Sequence, residues 1–210
     1  EAWELFSPLG AGLSSVCGMR CGLFAAAWGE VFFGVETINA LAETERIVLE
    51  LAYTFQITSV FAGLSLHENV ALAARRRLGA DAAAVDAKVA DVLARVGLTD
   101  RADQIAGDLS YGHQRLLEIA MGLAQDPRLF ILDEPTQGLA DSEVAEFIAL
   151  INSLAGETTI LLIEHNMDVV MQTATHITVL NAGEVLAAGT PDEIRANAAV
   201  QAAYLGTSDA

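Results

Sequence analysis

The stretch Leu129-Phe130-Ile131-Leu132-Asp133-Glu134 is an unbroken apolar run closed by two acids. A run of that kind, without polar alternation, predicts a strand buried on both faces of a largely parallel sheet. A second run, Thr159-Ile160-Leu161-Leu162-Ile163, repeats the pattern and ends in Glu164-His165. Open α/β sheets carry their ligand crevice at the carboxyl ends of the strands. Two separate strands therefore deliver ionisable side chains to one edge. At such an edge Asp133 can hold Mg²⁺ directly or through water, and Glu134 can orient or deprotonate an attacking water. The alternative at a strand end is an Asp that only caps the next helix.

Outward from this strand the pattern alternates. Leu109-Ser110-Tyr111-Gly112-His113-Gln114 stands upstream, at the start of a helix predicted to run to Ala124. Ser110 and Gly112 offer a hydroxyl and bare backbone amides at that helix N-terminus, which suits a phosphate. Downstream come Pro135-Thr136-Gln137-Gly138-Leu139-Ala140 and a helix beginning near Asp141. Between His67 and Val96 the pattern is helical, with Val85, Val89, Val92 and Val96 forming an apolar stripe. Arg75-Arg76-Arg77 is a short basic run that reads as a solvated helix end, with a dedicated anion site as the alternative. The left end reads strand (Ala2 to Phe6), Gly-rich turn (SPLGAGLSS, 7–15) and an apolar stretch to Phe24. Glu30 to Phe33 predicts another strand and Glu43 to Leu51 a short helix.

Composition excludes several classes. The 210 residues, 53% of them hydrophobic and 19% charged, suit one sizeable folded domain with or without a small inserted subdomain. A formal net charge of −17 excludes a protein that grips nucleic acid through a basic surface, but not a nucleotide held by backbone amides. Cys17 and Cys21 are the only cysteines and read as reduced core thiols. No apolar stretch reaches the roughly 20 residues of a spanning helix. Leu5 to Met19 is interrupted by Pro8, serines and glycines, and Glu1 and Glu4 stand where a secretory signal needs positive charge. The expectation is a protein soluble on its own, which works at a membrane only by docking to something that spans it.

Together these segments resemble the ATP-binding subunits of ABC transporters. LSYGHQ is similar to the signature motif, Leu129 to Glu134 to the Walker B strand and its glutamate, TQGLAD to the D-loop, and His165 falls at the switch histidine. Thr54-Phe55-Gln56 resembles the Q-loop that opens the helical subdomain. The resemblance runs from about Gly29 to Gly206. TFQITSVFAGLSLHENV, LLIEHNMDVVM and GEVLAAGTPDEIRANAAVQAAYLG look like the ATPase subunits of branched-chain amino-acid importers. The implied fold is α/β, a P-loop NTPase-like, mostly parallel sheet with helices on both faces and an inserted α-helical subdomain. The implied division is 1–56 for the first part of the nucleotide-binding core, 57–108 for the helical subdomain and 109–210 for the rest of the core.

Two departures stand against the pattern. The phosphate loop should read G-x-x-x-x-G-K-[ST]. Counting back from Gly29-Glu30-Val31, the chain aligns Ser7 with the first glycine and Leu13 with the lysine, while Gly10, Gly12 and Ser14 are in place. Taken alone, SPLGAGLSS is an ordinary Ser/Gly turn. A lysine at this position meets the β- and γ-phosphates with a charge-assisted hydrogen bond, of about 1.5–3 kcal/mol. Its loss predicts weak nucleotide binding and much-reduced hydrolysis. The chain also begins in the strand leading into this loop, so the antiparallel strands that precede it in the family are expected to be largely missing. With them goes the aromatic residue that stacks on adenine; Trp3 reads as sheet packing.

The resemblance implies ATP and Mg²⁺ as ligands. Gly10, Ala11, Gly12, Leu13, Ser14 and Ser15 would line the phosphate loop. Ser14 and Gln56 would meet the metal, with Asp133 behind it. Glu134 would polarise water, His165 would contact the γ-phosphate, and Ser110 and Gly112 would close over the nucleotide of a second ATP-binding subunit in a homo- or heterodimer. Transmembrane permease subunits are the other implied partners, at the cytoplasmic face of the membrane, and nucleic acid is not one. Three alternatives stand beside a working ATPase: a degenerate subunit that lends its signature to a partner's site, an acidic helical interaction protein, and a soluble ABC protein of DNA repair or translation.

Overall fold

The computed structural model describes residues 2–6, 32–33, 36–37, 50–54 and 59–205. Strands β1 (Ala2–Phe6), β4 (Leu51–Thr54), β5 (Leu129–Asp133), β6 (Thr159–Glu164), β7 (His176–Asn181) and β8 (Glu184–Gly189) form one sheet in the order β4-β5-β6-β1-β7-β8. All neighbours pair in parallel except β7 and β8, which are antiparallel. A separate antiparallel ribbon joins β2 (Phe32–Phe33) to β3 (Glu36–Thr37).

The apolar runs behave as their composition demands. Every residue of β5 is buried, and so is all of β6 after Thr159. Alternation sends them to opposite faces. Phe130, Leu132, Ile160 and Leu162 join the main helical core, whereas Leu129, Ile131, Leu161 and Ile163 cluster with Leu180 on the other face. Neither face can carry a polar side chain cheaply, so the first acids appear where the strands end.

The helices are α1 (Leu66–Leu78), α2 (Ala82–Arg95), α3 (Tyr111–Leu123), α4 (Asp141–Ser153), α5 (Met167–Thr173), α6 (Pro191–Ala196) and α7 (Ala198–Leu205). Ser65 and Glu68 form a capping box at the start of α1, and Asp81 caps α2. Val85, Val89 and Val92 of the predicted stripe are buried along α2, and Val96 is buried just beyond it. Helix α3 packs onto β5 at a glycine: a Cβ on Gly122 would lie 2.3 Å from Phe130 Cζ. One buried cluster runs from α1, α2 and α3 into β5, β6 and α4.

The segment before α1 is fastened to the segment before α3. Ala106 and Gly107 N–H donate to Leu64 and Ala62 O, and Leu66 and His67 N–H donate to Gln104 and Ala102 O. Buried Asn69 ties the loop from inside, accepting Phe61 N–H at 2.8 Å and donating to Ser65 O at 2.8 Å. The Arg75–Arg77 run lies in the last turn of α1, all three exposed, and Arg77 reaches Glu50 at 3.2 Å.

One sequence reading is corrected here. The predicted helix from Glu43 to Leu51 does not include its end: Glu50 lies in a turn with φ 62°, and Leu51 pairs with Leu129 to open β4. Tertiary strand pairing overrides local propensity there; residues 43–49 lie outside the described residues. The helical stretch from His67 to Val96 is two helices, parted at Gly79, whose φ of 65° ends α1. Of the strand predicted at Glu30 to Phe33, Phe32–Phe33 is described and extended. Among the described residues no helix is long and apolar enough to cross a membrane.

Candidate functional site

The parallel pairing of β4, β5 and β6 brings three strand ends together. Asp133, 2% exposed, closes β5. Its Oδ2 accepts a hydrogen bond from the Tyr53 hydroxyl of β4 at 2.8 Å. Its Oδ1 is buried without a hydrogen-bond partner among the described residues, as is Thr54 Oγ1 at the end of β4. Burial pushes the Asp133 carboxyl above the usual carboxylate range, and Glu134 and Glu164 push the same way against Tyr53 and Arg115. A buried anionic oxygen with no donor is the ligand a hard divalent cation takes. The residues present therefore fit Mg²⁺.

Glu134 leaves the strand in a left-handed conformation, φ 46°, with its N–H on Ile163 O at 2.9 Å. Such a backbone is uncommon for a residue with a Cβ and is held by the strand beside it. The turn aims the Glu134 carboxylate at the next loop, where His165 Nδ1 lies 3.7 Å from Oε1. The imidazole is half exposed, whereas Glu134 is mostly covered. Glu164, by contrast, is 0% exposed. It accepts Thr136 N–H at 3.0 Å, the Thr136 hydroxyl, His165 N–H at 3.1 Å and Asn166 N–H at 3.3 Å.

Ser110 and Gly112 stand at the start of α3. Ser110 caps the helix: its Oγ accepts His113 N–H at 3.3 Å and lies 2.7 Å from His113 Nδ1. Gly112 is buried against α4, where a Cβ would come 2.2 Å from Glu143 Oε1. The other oxygen of Glu143 accepts Ala140 N–H at 2.9 Å. A cleft of ≈ 150 Å³ lies here, with Gly112 and His113 on one wall and Pro135, Leu139 and Glu143 on the other. Arg115, 2% exposed, pairs with Glu118 at 2.8 Å and lies over the Tyr111 ring.

Asp133, Glu134 and His165 are thus neighbours, as their sequence positions predict. Ser110 and Gly112 sit with the segment 135–143. Gly10, Ala11, Gly12, Leu13, Ser14, Ser15 and Gln56 lie outside the described residues. Sequence reasoning missed Tyr53, Thr136 and Glu143. None of the three had a local signal: Glu143 stands three residues beyond Ala140, which has no side-chain oxygen to complete a capping box.

A mostly parallel sheet with acids and a histidine at adjoining strand ends, and a glycine-bearing helix start beside them, is an α/β arrangement that can hold a ligand at the carboxyl ends of its strands. A model of the ABC transporter family matches residues 1–137, and one of the branched-chain amino acid ATP-binding cassette transporters matches residues 184–210. The chain is 36% identical to the high-affinity branched-chain amino acid transport ATP-binding protein BraF of Pseudomonas aeruginosa, covering 97% of this chain and 86% of that protein. Its counterpart LivG of Salmonella typhimurium is 35% identical, over 98% of this chain and 87% of LivG. The crystal structure of MJ1267, an ATP-binding cassette of an ABC transporter, superposes with a TM-score of 0.87 at 23% identity, over 100% of this chain and 88% of that one, which speaks for the fold. The chain belongs to the ABC transporter family, as an ATP-binding subunit similar to the branched-chain amino-acid importer ATPases.

Proposed function

We propose that this chain is the ATP-binding subunit of an importer for branched-chain amino acids, coupling ATP binding and hydrolysis to transport. The observation that carries the reading is the group at the ends of β5 and β6. Asp133 keeps one buried oxygen unpartnered among the described residues, and Glu134 and His165 face each other at 3.7 Å. In this reading Asp133, Ser14 and Gln56 hold Mg²⁺, which when bound offsets phosphate charge. Glu134 orients the attacking water and takes its proton. His165 donates to the γ-phosphate. Gly10 to Ser15 cradle the phosphates through backbone amides. Ser110 and Gly112 meet the nucleotide of a second ATP-binding subunit.

The permease partners dock through the helical segment that follows Gln56. What supports this is an exposed apolar pair on a rigid base. Phe61 is 53% and Ile105 41% exposed, and their two segments are joined by the hydrogen bonds that link 61–67 to 102–107. The subunit then lies on the cytoplasmic face of the membrane.

Leu13 favours a second reading: a subunit poor in hydrolysis at its own phosphate loop that lends Ser110 and Gly112 to a partner's site. Mg²⁺-ATP turnover by the chain and by Leu13→Lys separates the two. A gain of about 10²–10³-fold in the variant assigns the defect to this one position. Equal turnover by both means that Leu13 is no defect and removes the second reading. Silence of both, with no ATP bound, removes the first.

A further inference from the structure

Glu164 is an acid that the mechanism above leaves without a task. It stands next to His165, yet it is completely buried and opens onto no ligand space. Oε1 takes both donors of Thr136, its N–H and its hydroxyl. Oε2 takes the N–H groups of His165 and Asn166. A carboxylate has about four acceptor positions, so this one is saturated. Thr136 belongs to the turn after β5, whose Leu139 N–H returns to Thr136 O at 3.2 Å. Asn166 caps α5. One planar group therefore joins the loop after β5 to the loop after β6, with each oxygen serving one loop. The first loop also reaches the signature side of the molecule, because Pro135 and Leu139 line the cleft that holds Gly112 and His113.

We propose that Glu164 is a positioning residue that couples the 136–140 turn to His165, so that the imidazole is set beside Glu134 only while Thr136 is in place. A displacement of Thr136 moves Oε1, and the rigid carboxylate carries the motion to Oε2 and the backbone of His165. Bonds to an ionised acceptor in a dry interior are short and stiff, which suits such a link. An amide cannot substitute. A glutamine side chain in its place would accept at one end and present N–H groups to donors at the other, whichever way it turned. The roles of His165 and Glu134 rest on the function proposed above; the link itself does not.

The test compares the chain with Thr136→Val and Glu164→Gln by amide hydrogen exchange without nucleotide. Thr136→Val keeps the shape and the N–H and removes one donor. Both variants are expected to raise exchange at His165 and Asn166 by about tenfold, with β7 amides changed less than about twofold. In the Leu13→Lys chain, Glu164→Gln is expected to lower kcat by about tenfold while KM for ATP stays within about twofold. Unchanged exchange at His165 and Asn166 in Thr136→Val overturns the link. Exchange raised throughout β5, β6 and β7 also overturns it, because the residue then only holds the sheet. An unchanged kcat overturns the coupling to His165. If the Leu13→Lys chain neither turns over nor binds ATP, the proposed function fails, and the exchange result still decides the link.

Discussion

The exits of β5 and β6 look alike in sequence and finish in opposite states. Each is an apolar run closed by an acid, and each strand is buried along its length. At β5, Asp133 ends with one oxygen on Tyr53 and the other on no donor among the described residues. At β6, Glu164 ends with both oxygens filled by Thr136, His165 and Asn166. The difference lies in what the following backbone does. After β5 the chain turns left-handed at Glu134 and carries its amides away from Asp133, whereas after β6 the amides of His165 and Asn166 fold back onto Glu164. An acid at a strand end serves a ligand only where the fold leaves its lone pairs open.

Removing the charge at each exit probes this contrast. The largest effect is expected at Glu134. In the Leu13→Lys chain, Glu134→Gln should lower ATP turnover by about 10²–10⁴-fold, the usual contribution of a general base, with ATP still bound and melting unchanged. Retained turnover would place the base elsewhere and erase the functional side of the contrast. Glu164→Ala should also act on stability. Each donor left buried without an acceptor costs about 1–3 kcal/mol, to be read from urea unfolding of the unmodified chain. A loss too small to measure would mean that the β6 exit is not held by its carboxylate.

Asp133→Asn should give the smallest change, and in the opposite direction. Burial raises the folded carboxyl above its unfolded value, so the folded chain binds the proton more tightly. Stability from this group is then lost as pH rises from about 4, the unfolded value, through the raised folded one. Asn carries no such charge. The variant should therefore melt above the parent at neutral pH and level with it in acid below the unfolded value, while losing Mg²⁺ affinity. A variant less stable than the parent at neutral pH would show that Asp133 is satisfied in a way its geometry does not suggest.

Much of this fold is written locally. Leu129 to Leu132 reads as a buried strand from its unbroken apolar run, and the Val85 stripe as a helix face turned to a core. These signals work because a few adjacent residues determine them. Asp133, Glu134 and His165 also fall together because they close neighbouring parallel strands. What could not be read depends on register between distant segments. Tyr53 reaches Asp133 across 80 positions, and Thr136 meets Glu164 across 28. The helix expected at Glu43 to Leu51 failed at Leu51 for the same reason, since its partner Leu129 lies far along the chain. Gly112 against Glu143 is likewise a contact between two helices whose sequences give no hint of each other.

The left-handed turn at Glu134 has a consequence for anyone evolving this chain in the laboratory. A residue with a Cβ held at φ 46° costs the fold roughly 1–3 kcal/mol. A library screened only for heat resistance or soluble yield would be drawn to Gly or Asn at that codon, and its winners would be sturdier and inert. Any stabilising campaign therefore needs codon 134 held fixed, or a second screen that counts released phosphate.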